Sequence, residues 1–330
     1  MNGVWIVRAA LVAAAICGAS AGAQTYTVNA ITAVPFGTLA AATTGVTVFD
    51  LNASTSAVTV QSGSGAKISG TSTRSTVTIR CANGGGNCNG GSPALVKIAA
   101  TGSPTGRGDP VTGFSVVSGT GTVGTVTTNG DGSIQFTMTG WTATNQNRTF
   151  FLGMDLPIEG DNGAGATGAV TSQFQVGVAR SPTVPVGGTT ANTTATVRRS
   201  LVVAKLSDLA FGTLVRPTTG SGTVIINQTT GARTTGGANP PIVVAASSSG
   251  RAAYTITGET GTAFTITVPT TFNMTSGANT LAVTTSATAT GAQTLTGGTF
   301  SLGVGGTTTI ASTTPSGNYT GSFSVTFVYN

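Results

Sequence analysis

Enzymatic chemistry needs a proton carrier, a nucleophile or a set of metal ligands, and this chain is short of all three. It has no histidine, so the usual general base and metal ligand near neutral pH is missing. A serine or cysteine nucleophile would therefore lack its common partner. Only eight carboxylates occur: Asp50, Asp109, Asp131, Asp155, Glu159, Asp161, Asp208 and Glu259. Two carboxylates can cleave a glycosidic bond, but no pair stands out by spacing, and several of these acids sit in glycine-rich, turn-like contexts. The expectation is a protein that is not an enzyme and holds no cofactor or metal. Asp155, Glu159 and Asp161 precede Asn162-Gly163 and could offer oxygens to calcium. Their spacing does not fit an EF-hand and Pro157 interrupts it, so a solvated hairpin loop is the favoured reading. Trp141, followed by Asn145, Asn147 and Arg148, is the best candidate for stacking on a host or matrix glycan. The competing and favoured reading is a core tryptophan beside a polar turn.

The elements that would position such residues begin after an export signal. Residues 1–23 carry one basic residue, Arg8, then an apolar run from Ala9 to Ile16 and the small-residue ending Ala21-Gly22-Ala23 before Gln24. That is a cleavable signal peptide of the A-x-A type, with an apolar core too short to span a bilayer. Ile16 before Cys17 argues against a lipoprotein. Two cysteines remain after cleavage, Cys81 and Cys88, flanking Ala-Asn-Gly-Gly-Gly-Asn. In an oxidising compartment they are expected to close a tight disulfide loop. Zinc is not expected, because no histidine and no other mature cysteine could complete a site.

Charged residues make up 7% of the chain and glycine 49 of 330 positions. So little charge argues against ordinary disorder. Thr and Val favour strands, Gly and Asn supply turns, and no long helical period appears outside the signal. The net charge of +6 is scattered, with Arg198-Arg199 the one adjacent basic pair. Without aromatic–basic interleaving, a nucleic-acid partner is not expected.

Internal repetition sets the domain plan. Phe36-Gly37-Thr38-Leu39 recurs as Phe211-Gly212-Thr213-Leu214. Gly65-Ala66-Lys67 recurs as Gly231-Ala232-Arg233, and Arg74 to Ile79 echoes Arg251 to Ile256. Ser172-Gln173-Phe174-Gln175-Val176 parallels Gly321-Ser322-Phe323-Ser324-Val325. Four matches in one order predict two related modules, 24–180 and 197–330, joined by a Pro-, Gly-, Thr- and Asn-rich linker over 181–196. Short strands and frequent turns, such as Asn129-Gly130-Asp131-Gly132, predict an all-β chain of two tandem immunoglobulin-like β-sandwich modules. A β-helix would show a short regular period, and none is present.

The chain end carries the sharpest pattern. Tyr319, Gly321, Phe323, Val325, Phe327 and Tyr329 occupy every second position, with polar residues between them and Val328 the one break. This is the two-residue period of a strand with one buried face. Each large side chain on that face could contribute ~1.5–3 kcal/mol when buried.

Here the chain resembles the pilus subunits of the chaperone–usher pathway. Those subunits end in an alternating apolar strand with a penultimate aromatic and a glycine fourteenth from the end, positions held here by Tyr329 and Gly317. The second module is also similar to a bacterial secreted domain of unknown function with an FGT motif and a closing G-x-Y-x-G-x-F strand. The resemblance implies a sandwich lacking one strand, supplied first by a periplasmic chaperone and later, at an outer-membrane usher, by the extension of another fimbrial subunit. Gly317, Tyr319, Phe323, Val325, Phe327 and Tyr329 would then form the strand-addition interface. The other reading of the same residues is an ordinary closing strand of a complete sandwich, in a surface-layer or secreted carbohydrate-binding protein. The second FGT motif follows a long extended run, Asn192 to Leu209, whereas only Gln24 to Pro35 precede the first. Two-domain tip adhesins share that layout, so an exported, adhesin-like subunit at the cell surface or on an extracellular fibre is expected. The alternative is a tandem subunit whose linker fills the first module in cis.

Overall fold

The computed structural model describes residues 24–82, 88–245 and 247–330. The expected signal segment 1–23 and residues 83–87 between the two cysteines lie outside them.

Strands dominate because Thr and Val are frequent and glycine turns interrupt them every few residues. The first module contributes β1 (Thr25–Ile31), β2 (Val34–Ala40), β3 (Val46–Leu51), β4 (Val58–Ser62), β5 (Ala66–Ser69), β6 (Ser75–Ala82) and β7 (Ala94–Thr101). It continues with β8 (Thr112–Ser118), β9 (Thr122–Val123), β10 (Thr127–Thr128), β11 (Ile134–Thr139), β12 (Asn147–Glu159), β13 (Gly168–Arg180) and β14 (Thr189–Arg198). One sheet runs β1-β6-β12-β3-β4 with β8 beside β12, and the other runs β10-β11-β7-β13-β14-β2-β5 with β9 beside β11. Their inner faces meet in one continuous core that includes Phe36, Phe49, Phe136, Phe150 and Phe174. Phe136 and Phe150, from opposite sheets, meet edge to face at 5.2 Å, a favoured aromatic geometry.

The second module contributes β15 (Val202–Ser207), β16 (Leu214–Val215), β17 (Ser221–Ile226), β18 (Arg233–Gly236), β19 (Ile242–Val243) and β20 (Ala252–Thr257). Then come β21 (Ala263–Thr267), β22 (Thr271–Ser276), β23 (Asn279–Ala287), β24 (Gly291–Thr294), β25 (Thr299–Ala311) and β26 (Thr326–Tyr329). Its main sheet is β15-β20-β25-β17-β18, with β23 beside β25 and β22 beside β23. The facing layer is broken into β24-β21-β26 and the separate pair β16-β19. Its buried apolar side chains fall into two clusters, one around Phe264 and Leu302 and one around Phe211 and Val224.

The duplication read from sequence is repeated in hydrogen bonds. Asn52 Oδ1 accepts from the amides of Ser54 and Thr55, and Asn227 Oδ1 accepts from those of Thr229 and Thr230. Arg74 then donates to the Ala53 and Ser54 carbonyls, and Arg251 to those of Gln228 and Thr229. Both asparagines use the Asx turn, and both arginines close it.

One boundary differs from expectation. The segment assigned to a linker, 181–196, contains most of β14, which pairs antiparallel with β13 and parallel with β2 inside the first module. Its Thr- and Ala-rich composition resembles a linker, yet Thr193, Ala195 and Val197 alternate inward and are buried. The run Asn192 to Leu209 is likewise not one extended segment. It is the end of β14, a short junction, and β15 at the edge of the second module.

Candidate functional site

Each module is organised around its Phe-Gly-Thr-Leu motif, and the motif has a mechanical cause. Gly37 and Gly212 adopt φ of 76° and 72°, where glycine carries no steric penalty. A Cβ on Gly37 would lie 2.1 Å from Lys67 Nζ, and one on Gly212 would lie 2.2 Å from Arg233 Nη1. Glycine therefore lets a cation pass over the backbone to donate to the carbonyl of Phe36 or of Phe211. The loss of water around Lys67 pulls its pKa below the ordinary lysine value. Sequence reasoning found both motifs and both cations in matching order but did not connect them. The alignment of Lys67 with Arg233 was the available signal.

The modules differ in what lies beside that motif. In the first, β14 is inserted between β13 and β2. Phe174, Ser172 and Val170 of β13 face Ala191, Thr193 and Ala195 of β14, and Val170, Phe174 and Val176 are sealed at 1%, 0% and 0% exposure. The C-terminal segment matches β13 position by position. Arg180 pairs with Ala94 and Tyr329 with Phe264. Thr171 bonds with Thr105, and Thr320 with Thr275. Among the described residues, no strand of the second module corresponds to β14. A cleft of about 970 Å³ opens there, lined by Leu209, Phe211, Tyr254, Phe272, Tyr319 and Phe323 among others.

The sequence-predicted stripe therefore faces inward without being sealed. Tyr319, Phe323, Val325, Phe327 and Tyr329 are half-buried, whereas the intervening residues and Gly317 are exposed. Phe323 stacks on Phe272 at 4.9 Å and Phe327 approaches Tyr254 at 6.2 Å. A continuous strand over 317–330 was expected, but regular pairing covers only Thr326–Tyr329, with an isolated bridge at Thr320. The edge away from β21 has no ladder partner, so the pairing that would regularise 317–325 is not made. β26 and β15 are both edge strands. β15 is exposed throughout, including Val202, Val203 and Leu206, and such an edge invites pairing with another chain.

Tyr329 has a second role that spacing alone did not suggest. Its hydroxyl accepts from the Glu259 amide at 3.0 Å and donates to the Arg199 carbonyl at 3.1 Å. Glu259 also accepts from Thr167 of the first module and from the Arg199 amide. Nearby, Asp161 accepts from the Ser200 amide at 3.1 Å and pairs with the buried Arg107 at 2.5 Å. The end of the C-terminal strand is thus pinned at the junction between modules. Burial raises the pKa of the Tyr329 phenol, which keeps it a donor. A Cβ on Gly258 would come within 2.2 Å of the Tyr329 hydroxyl, so only glycine admits this approach.

The remaining candidates resolve differently. Cys81 and Cys88 form the expected disulfide. Trp141 is 4% exposed and packs on Tyr26 at 4.9 Å, so its ring is not a platform for a glycan. Asn145 is exposed and turns with φ of 59°, while Arg148 Nε donates to the Gly140 carbonyl. The three do not form a sugar-binding surface, because the ring expected to stack lies in the core. Asp155, Glu159 and Asp161 do not converge either. The first two lie within β12, the third is in the Arg107 ion pair, and among the described residues no acidic cluster suits a metal. The solvated-loop reading is also corrected for Asp155. It is 6% exposed opposite Asp50, and desolvation, then the Asp50 charge, push its pKa up to about 6.

A family profile described as a domain of unknown function, DUF4402, matches residues 201–329, which is the second module. No curated protein matches the chain. Among solved structures, one similar chain comes from a chaperone–tip adhesin complex of CFA/I fimbriae, at 12% identity and a TM-score of 0.24, covering 92% of this chain and 98% of that one. Another comes from the CsuC–CsuE chaperone–tip adhesion subunit pre-assembly complex of Acinetobacter baumannii, at 11% identity and a TM-score of 0.22, covering 72% and 84%. The major pilin subunit BcpA of Bacillus cereus follows at 13% identity and a TM-score of 0.20, covering 58% and 55%. Scores this low do not describe superposable folds.

Proposed function

We propose that the chain is an exported surface or fimbrial subunit assembled by β-strand addition, with the second module as acceptor. One observation carries the reading. β14 lies between β13 and β2 in the first module, and the matching place in the second module is an open cleft in which Phe211, Phe272, Tyr319 and Phe323 stand among polar residues such as Lys205, Asp208 and Arg216. An added strand would satisfy the free backbone edge of 317–325 and cover the half-buried stripe, so main-chain hydrogen bonds and side-chain burial act together. A periplasmic chaperone is the first donor under this reading, and a neighbouring fimbrial subunit replaces it at an outer-membrane usher. The first module is filled in cis by β14 and needs no donor. β1 is consumed by pairing with β6, which supports a terminal, adhesin-like place for the first module.

The test is co-expression of the full chain with a periplasmic chaperone of the chaperone–usher type. The parent chain should co-purify with the chaperone. Phe323→Asp places a charge in the cleft and should abolish capture while the first module, followed by Trp141 fluorescence, melts unchanged. Undiminished capture by Phe323→Asp would refute the acceptor role. Label imaged along whole fibres, rather than at their ends, would refute the terminal position.

A further inference from the structure

We infer that the strand completing the second module carries a residue no larger than alanine opposite Tyr319 and another opposite Phe323, running antiparallel to 317–325 and parallel to the Phe211–Val215 segment. The inference rests on the strand-addition reading and specifies the chemistry of the partner.

The template is β14. Across the β13–β14 ladder, Phe174 faces Ala191, Ser172 faces Thr193, Val170 faces Ala195 and Gly168 faces Val197. At Phe174 and Val170 bulk on β13 is met by alanine on β14, and Gly168 is met by valine, while Ser172 and Val176 face Thr193 and Thr189. The cause is geometric. Directly opposite side chains have Cβ atoms ~4.5–5.5 Å apart, and a close-packed interior has no room for two large groups at that spacing. Orientation follows from the same strand, since β14 runs parallel to β2, with Thr193 beside Val34 and Arg198 beside Ala40.

In the second module Phe323 stands where Phe174 does, Tyr319 where Val170 does, and Gly317 where Gly168 does. The first and third are unchanged, but valine has become tyrosine. Tyr319 lines the cleft, with its hydroxyl donating to the Pro315 carbonyl at 3.0 Å. The space opposite it is therefore tighter than the space that Ala195 fills in the first module. Gly317 leaves room for a valine-sized residue, as Gly168 does. Among the described residues, β1 and β14 are already paired within the first module, so the occupant assigned here is a segment of a second protein. It is an extended stretch in which alanine-sized and β-branched residues alternate on one face.

The experiment uses a dye-labelled peptide with the sequence of residues 189–198 and the full chain, read by fluorescence anisotropy. The parent peptide should bind. Ala195→Leu or Ala191→Leu in the peptide should weaken binding by about tenfold or more, the usual scale of overpacking. Tyr319→Val in the chain should restore binding of the Ala195→Leu peptide and leave the Ala191→Leu peptide weak. That selective rescue distinguishes packing from a general loss of β-propensity. Equal or tighter binding of the leucine peptides, or no rescue, overturns the size rule and leaves strand addition standing. Failure of every peptide to bind a chain that melts normally, together with failure of chaperone capture, removes the strand-addition reading itself.

Discussion

Asp155→Asn should flatten the dependence of first-module stability on pH. Asp155 is 6% exposed and sits across the β12–β3 ladder from Asp50. Its pKa is raised from 3.8 to about 6, first by desolvation and then by the Asp50 charge, with a hydrogen bond from Gln61 opposing the rise. The folded module therefore holds this proton more tightly than the unfolded chain does. The resulting stabilisation is fully present below about pH 4 and is lost as pH rises through about 6. A gap of about two pH units, at ~1.36 kcal/mol each, makes the loss about 3 kcal/mol. Asn is neutral at every pH and nearly isosteric with the protonated acid, so the variant should match the parent near pH 4 and exceed it by up to about 3 kcal/mol at pH 8. Urea denaturation followed by Trp141 fluorescence is the assay, because the other tryptophan, Trp5, lies in residues 1–23, which are expected to be cleaved from the mature chain. Parallel stability curves for parent and variant between pH 4 and 8 would refute the argument. The substitution must also leave the urea m-value unchanged, so that the difference belongs to the folded state.

Tyr329→Phe removes two hydrogen bonds that pin the C-terminal strand to the junction. It should cost about 1–2 kcal/mol locally and speed trypsin cleavage after Arg198 and Arg199, with unaltered cleavage arguing against the pin. Replacing Cys81 and Cys88 by serine opens a short covalent loop and should lower stability by about 2–3 kcal/mol in the chain-entropy account. The same shift should appear when the parent is reduced and be absent when the double variant is. Trp141→Ala should destabilise by about 3–5 kcal/mol as a core truncation, while Trp141→Phe should cost far less because the buried indole N–H has no hydrogen-bond partner among the described residues. Circular dichroism melts separate the two, and equal losses would contradict a packing role for the ring.

Much of the fold was legible in order along the chain. Strand content follows from Thr, Val and Gly, because β-branching and turn formation are local properties. The repeat was legible because turn chemistry needs particular residues: Asn52 and Asn227, Gly37 and Gly212, Arg74 and Arg251 each do one job twice. The disulfide followed from spacing and compartment, and the inward side of the C-terminal stripe followed from its two-residue period. Other features depend on which segments become neighbours in space. Composition marked 181–196 as a linker, since Thr and Ala serve in linkers and strands alike, and only the groove between β13 and β2 made β14 a strand. Asp155 looked like a loop acid, and the ladder that sets it against Asp50 away from water was not visible in its own neighbourhood. Tyr329 read as one more apolar position, because its partners at Arg199 and Glu259 are remote in sequence. Local residue types set what each segment can become. The difference between a sealed first module and an open second one comes from pairing between distant segments, where backbone hydrogen bonds and close packing select one partner from several that the sequence alone permits.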